Sequence, residues 1–514
     1  MTPSISLGSL ICLVLGSTFL LSILNSKRRS KDVSLPPGPK QIPILGNITD
    51  FAHKELWLTV TNWARKYGDV CYLRVFGWNM VFLSSVEAAD DLLEKRGAIY
   101  SDRPTLLMCG ELCGVDHMLP FLKYNDTFKR QRRYTRQTLG ARNIPAYHPM
   151  IRVETSSFLS AIVNDPSDYL NHIRKYAGGL TLSVVYGYRI KNNRDQSLVI
   201  AEECLDILAN EVVTGSGIWP VDILPFLLYL PSWLPGAGFK RKAAAWKKKM
   251  VQFTELPFAS AKAAAREGSI LPSFCSRLLG DGDIDPILEA DVKQASNSMY
   301  AASADTTVSS ISQFLLAMTL YPGVMKKAQE EIDRVVGSDR LPDFTDREAL
   351  PYLEAVMSEM WRWGSPVPLN LPHCLSQDDI YRNMLIPKGS IVIVNIWSIL
   401  NDETLFPNPE IFDPDRFAPD IDPTTRARRD PRKYVFGFGR RRCPGADLVE
   451  SSVWLLLASM IATLDIQKVV DDNEKVIEPV VRYSNSTFRV PDKFRFSITP
   501  RSEKASALFN GELV

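Results

Sequence analysis

The chain has 514 residues, 45% of them apolar and 23% charged, and its 60 Lys and Arg against 58 Asp and Glu leave a formal charge of +2. This composition supports a large buried core and excludes a disordered or collagen-like chain. The near-neutral balance also excludes a protein whose main task is to grip nucleic acid. The 8 cysteines are scattered, with no CxxC pair, so they are not a disulfide framework. Cys109 and Cys113 have no matching His or Cys pair at finger spacing, which argues against zinc.

Residues 5–24 form an uncharged apolar run, which as a helix matches the roughly 30 Å of a bilayer core. Lys27, Arg28, Arg29 and Lys31 follow it, so the positive-inside rule keeps the downstream chain cytosolic. A cleaved signal peptide is the competing reading, but its basic residues come first and its apolar core is shorter. Leu35-Pro36-Pro37-Gly38-Pro39 then reads as a stiff extended spacer. The expected organisation is a membrane anchor at 1–26, a basic stop-transfer segment and proline-rich hinge at 27–46, and one large domain at 47–514. On that topology the sequons at Asn47, Asn125 and Asn485 stay unmodified.

Within the domain no repeat or long flexible linker interrupts an alternation of helical patterns with a few short strands. Strand-like runs occupy 70–75, 80–83 and 391–396. The stretch 223–235 is apolar but broken by prolines, and Lys240, Arg241 and Lys242 follow it. It suits a surface loop dipping into lipid, with irregular core packing as the alternative. A helix is predicted from about 289 to 320, stopping at Tyr321-Pro322-Gly323, and a second over 322–336. The centre of the long helix, Ala301 to Thr307, is small and polar where a buried helix is normally greasy. Small side chains admit something flat, and an acid beside hydroxyls offers a proton route. Close helix packing with a hydroxyl bonded back to its own turn reads the same residues without chemistry.

Near the carboxyl end, Phe436-Gly437-Phe438-Gly439-Arg440-Arg441-Arg442-Cys443-Pro444-Gly445 precedes a helical stretch at 446–464. Glycines permit tight turning, and three arginines with a helix N-terminus favour thiolate over thiol. A lone thiolate so held suits one axial bond to haem iron. A reactive nucleophile or a structural cysteine also remains open on chemistry alone.

The segment carries the F-x-x-G-x-R-x-C-x-G pattern, and with it the chain resembles the cytochrome P450 family, in particular fungal members of secondary metabolism. Glu359-Met360-Trp361-Arg362 resembles the family's ExxR helix, the segment 412–417 resembles the region whose Arg416 completes a Glu-Arg-Arg network, and the long helix resembles the oxygen-activation helix. The resemblance implies a mainly α fold with a minor β subdomain behind a single N-terminal transmembrane helix, and makes 47–514 a haem-thiolate monooxygenase domain. It implies haem b with Cys443 as axial iron ligand, and Thr306 and Asp305 as catalytic groups that hold and pass protons. Arg132, His373 and Arg441 would pair with the haem propionates, with Phe436 and Gly445 in the cofactor loop. Glu359, Arg362 and Arg416 would be structural.

Two residues depart from the family pattern: Phe128 stands where an indole N–H is usual, and Ser303 where glycine is. No phosphate-cradling motif is present, so electrons must come from a partner. The resemblance implies NADPH-cytochrome P450 reductase, with cytochrome b5 as a second donor. Arg426, Arg428, Arg429, Arg432, Lys433 and Arg440 would offer it a basic face, or form a solvated loop. The expected setting is the endoplasmic reticulum membrane, and the expected substrate is a hydrophobic secondary metabolite, first a terpenoid. An aromatic amine, which would need Glu111, Asp116 or Glu211 in the pocket, or a polyketide is the alternative. A reductase-independent isomerase or dehydratase is a further class, against which the intact Asp305-Thr306 pair speaks.

Overall fold

The computed structural model describes residues 33–43, 45–50, 54–190, 195–212, 219–280, 284–471, 473–483 and 487–510. The anchor predicted at 1–26 and the sequon at Asn485 lie outside them. β1 (Val70–Val75) and β2 (Trp78–Leu83) form an antiparallel hairpin, turned by Phe76 and Gly77 at positive φ. The helices needed to place the site are α1 (Asp126–Leu139), α2 (His148–Asn164), α3 (Tyr169–Thr181), α4 (Gln196–Asp206), the short α5 (Pro220–Ile223), α6 (Gly238–Arg266), α7 (Pro286–Leu320) and α8 (Pro351–Gly364). β3 (His373–Cys374), β4 (Ile391–Val394) and α9 (Ala446–Thr463) follow. The main sheet has the order β1-β2-β4-β3, with β2 parallel to β4 and the other pairs antiparallel. Three two-stranded sheets complete a mostly helical fold.

Boundaries follow local chemistry. β4 stops at Val394, short of the predicted 396, because Asn395 turns to cap the next helix by accepting the Ser398 N–H at 3.1 Å. α7 starts three residues before the predicted 289: Asp285 accepts the Ile287 N–H at 3.0 Å, and Pro286 occupies the first turn, where its missing N–H costs nothing. At 35 residues the helix is about 52 Å long, and its second half is buried through Val308, Ile311, Phe314, Leu315 and Met318. α9 is the one helix among the described residues long and apolar enough to cross a membrane, and it instead packs Val453, Trp454, Leu456 and Ile461 into the core.

The proline-rich segment is docked against β1. Tyr72 donates its N–H to the Pro37 carbonyl at 2.8 Å, and a Cβ on Gly38 would lie 1.9 Å from the Tyr72 carbonyl oxygen. Only glycine allows this approach. Asn47 is fully buried, accepting the Arg74 N–H at 3.0 Å and donating to Asp50 at 3.1 Å.

One ion pair organises the loop that leads to the cysteine. Glu359 and Arg362, one turn apart on α8, have no exposed side-chain surface and form two charge-assisted bonds of 2.6 and 2.7 Å. Arg362 also donates to the carbonyls of Leu400, Pro409 and Ile411, while Glu359 accepts the Asp413 N–H at 2.9 Å. Arg416 joins at 3.6 Å from Glu359 and bonds the Pro407 and Asn408 carbonyls. The loop spanning 400–416 is thus stapled to α8 from within. Arg362→Ala strands the Glu359 charge, so chemical denaturation should show a loss of about 3–5 kcal/mol; a loss below about 1 kcal/mol would contradict this account.

Candidate functional site

The loop before α9 turns at Gly437 and Gly439, both at positive φ, and a Cβ on Gly439 would lie 2.2 Å from the Leu93 carbonyl oxygen. The Cys443 N–H donates to the Phe436 carbonyl at 2.7 Å, and the Phe436 ring meets Trp361 of α8 edge-on at 5.4 Å. The fold and the loop are therefore locked together at the residue that presents the sulfur. Cys443 keeps accessible surface, yet it lies deep enough that burial raises its thiol above the ordinary value. The Gly445 N–H and the Arg132 and Arg442 guanidiniums pull the other way without prevailing. Of the three arginines expected to favour the thiolate, Arg442 acts on the sulfur in that direction. Arg440 bonds the Tyr124 hydroxyl at 2.6 Å, and Arg441 faces elsewhere. A metal must itself displace the thiol proton.

Arg441 donates to the carbonyls of Ser101, Leu119 and Leu122 at 2.7, 3.2 and 2.7 Å, and its guanidinium lies 3.7 Å from the centre of the Phe128 ring. Phe128, which cannot donate a hydrogen bond, thus supports the cation through its face. Burial brings Arg441 down to about 10. Around it gather Arg132, Arg103 and His373, each lowered first by burial, with mutual repulsion from Arg441 adding to the lowering at Arg103 and His373. Arg103 is 5% exposed, bonds the Leu371 and Pro372 carbonyls, and leaves its Nε without a partner. Arg132 has no hydrogen-bond or ion-pair partner among the described residues. Asp102 is the one acid that offsets Arg103 and Arg441. His373 points Nδ1 at the Tyr100 carbonyl, 2.8 Å away. In that tautomer Nε2 is an acceptor, so His373 meets a carboxylate only by taking up a proton.

On α7, Thr306 donates its hydroxyl to the Ala302 carbonyl at 2.9 Å, and Ala302 keeps accessible surface midway along a core helix. Asp305 turns to a different side. It opens into a crevice of about 250 Å³ between α3, α4 and α7, shared with Arg174, Glu202 and Asp206. Burial raises its carboxyl to about 6, against a smaller opposing pull from Arg174. The predicted acid-hydroxyl pair is adjacent in chain but faces two environments. Ser303 settles its own departure: its hydroxyl bonds the Tyr300 carbonyl at 3.0 Å and accepts from Thr181 of α3 at 2.8 Å, so it points away from the Ala302 and Thr306 face.

Arg103 escaped the sequence reading, because its place in the cluster is visible only once residues 103, 132, 373 and 441 meet. The basic face is smaller than predicted. Arg432 is drawn inward to Asp430, Glu354 and Glu450, and Arg426 caps the Pro419 and Ile421 carbonyls. Arg426, Arg428, Lys433 and Arg440 remain exposed, and Arg429 is half-buried.

The Cytochrome P450 family profile matches residues 36–488. Similar proteins include Cytochrome P450 monooxygenase claT of Ampulloclitocybe clavipes, 40% identical over 507 residues, covering 97% of this chain and 98% of the relative. Cytochrome P450 monooxygenase 208 of Postia placenta is 40% identical over 490 residues, 95% of this chain and 94% of the relative. Cytochrome P450 monooxygenase ple1 of Rhodocybe pseudopiperita is 36% identical over 509 residues, 98% and 97%. The residues fit a haem: a single soft sulfur donor stands with a buried group of cations short of acids, the complement of two propionates.

Asp305 sets a pH signature. Its folded value of about 6 exceeds the ordinary 3.8, so the folded state holds the proton more tightly and ionisation costs stability. Relative to Asp305→Asn, the native chain should lose stability between about pH 4 and pH 6 and run parallel above. Denaturant unfolding across that range checks this; a pH-independent difference would exclude the raised carboxyl.

Proposed function

The chain belongs to the cytochrome P450 family, whose cysteine-ligated haem makes it an oxidoreductase of the monooxygenase type, and on that premise we propose that it inserts oxygen into a hydrophobic metabolite at the face shared by Ala302 and Thr306. The observation that carries this is Cys443, the lone cysteine of a glycine-turned loop, beside three buried arginines that share the single acid Asp102.

When bound, the haem supplies oxygen activation, driven by electrons from a redox partner. The protein's residues divide the remaining work. Cys443 would hold the haem iron through its sulfur, to which the Gly445 N–H donates. Arg132 and Arg103 pair with the propionates, His373 does so on protonation, and Arg441 braces the segment 101–122 behind them. Thr306 releases its bond to the Ala302 carbonyl and turns its hydroxyl to a bound water. Asp305 takes up protons from its crevice and hands them across the helix.

Electrons come from NADPH-cytochrome P450 reductase docking against Arg428, Lys433 and Arg440, with cytochrome b5 as a second donor. The protein sits at the endoplasmic reticulum membrane, held by an anchor at 1–26. A second lipid contact is made by Leu224, Phe226, Tyr229 and Trp233, which are 44%, 61%, 86% and 76% exposed. Lys240 supports that surface through the Leu228 and Leu230 carbonyls, and Arg241 through the Ser232 carbonyl. A terpenoid is the favoured substrate. Leu106, Val367, Leu369 and Leu371 offer half-buried apolar surface, whereas Glu111, Asp116 and Glu211, the carboxylates an amine needs, are exposed.

Cys443→Ala should lose the thiolate-type Soret band of the reduced CO complex, and its retention with normal turnover would refute the ligand assignment. Thr306→Ala should keep that band. In a reductase-reconstituted assay on a terpenoid panel, it should lower product formation roughly 10²-fold while NADPH consumption continues into peroxide. An unchanged ratio of product to NADPH would contradict its proton role.

A further inference from the structure

Asp222 is a buried carboxylate that the chemistry above does not use. It stands on α5, 5% exposed, with one oxygen accepting the Met108 N–H at 3.0 Å and the other the Trp219 N–H at 3.2 Å; the Leu107 N–H also acts on it. Among the described residues no cation contributes to its environment. Its charge also acts on the buried thiols of Cys109 and Cys113. A desolvated charge held by amides alone is tolerated only while those amides stay in place.

The two segments it joins lead to the exposed apolar surface on one side and to α7 on the other. Residues 219–223 run directly into the exposed apolar surface of Leu224, Phe226, Tyr229 and Trp233. Residues 107–112, a π-helical turn at Met108–Leu112, continue to 117–122, which lie on the active face. There, the Leu119 N–H donates to Ser298 at 2.9 Å, His117 meets Asn297 at 3.4 Å, and Arg441 grips the Leu119 and Leu122 carbonyls. Ser298 lies one turn before Ala302 on α7. The strap 107–122 is therefore firmly pinned at its inner end. Its outer end packs Met108 and Cys109 in the core beside Val221, and its polar ties there are Asp222 and a 3.4 Å contact from Lys247 to the Glu111 carbonyl.

We propose that Asp222 is a latch, a positioning residue that holds the outer end of this strap against the lipid-facing segment and so sets the rate at which a bulky apolar ligand reaches the α7 face. The inference rests on the haem-enzyme reading above.

The test uses the full-length haem-loaded protein in lipid nanodiscs and two nitrogen ligands followed by the Soret shift in stopped flow: imidazole, which is small, and clotrimazole, which is bulky. Asp222→Ala should speed both association and dissociation of clotrimazole roughly 10-fold, the rate equivalent of one or two lost amide bonds, with imidazole rates unchanged. Asp222→Asn keeps one acceptor oxygen and should fall between; it decides the matter if the alanine variant does not load haem. Hydrogen exchange should quicken at Met108 and not at Leu119. Equal changes for both ligands, or none for clotrimazole, would overturn the latch. A wild-type protein without the thiolate-type CO band would instead overturn the haem-enzyme reading, leaving the exchange result to judge the latch.

Discussion

Everything near the cysteine depends on a pair of charges with no access to water. Glu359 and Arg362 satisfy each other and then spend every remaining donor and acceptor on backbone groups of the loop 400–416. Two buried ions are a poor source of net stability compared with an apolar pair of equal volume. What they provide is direction: carbonyls at 400, 409 and 411 must lie where one planar guanidinium can reach them, and this fixes the path of the chain toward the cysteine loop. Trp361, between the two ions on α8, completes the chain of contacts by packing its ring on Phe436.

The arrangement around Cys443 shows a division between groups that build and groups that act. Arg441 belongs to the first kind, since each nitrogen of its guanidinium serves a carbonyl. Arg132 and Arg103 are left with unspent hydrogen-bonding capacity in a region of low polarity. Positive charge in such a place is costly until an anion arrives, so the apoprotein stores an electrostatic preference that cofactor binding releases. At the sulfur, burial raises the thiol while Arg132, Arg442 and the Gly445 N–H pull it down, and a metal would act in the same direction as those groups.

The parts of the fold that were legible in the chain are those governed by short-range rules. Periodicity and the Tyr321-Pro322-Gly323 stop marked α7, and its start moved only because Asp285 and Pro286 cap it. The hairpin 70–83 and the helix at 446–463 were likewise readable. The pattern around Cys443 pointed to its chemistry before any geometry. What escaped was set by long-range contact. Ser303 gave no sign of the direction of its hydroxyl, which Thr181 decides. Arg432 looked like surface charge until Glu354 and Glu450 arrived from two other helices. Asp222 meets a partner 114 residues away, a distance at which no local pattern speaks.

The contact between Gly38 and the Tyr72 carbonyl carries a mechanical consequence. A tether lets its load swivel, whereas a stem built into the wall of its load does not. With Tyr72 bonded to Pro37 and no room for a side chain at 38, the chain leaves the sheet along a single heading. The direction in which the chain meets the sheet at residues 37 and 38 is then written in the backbone packing of one strand.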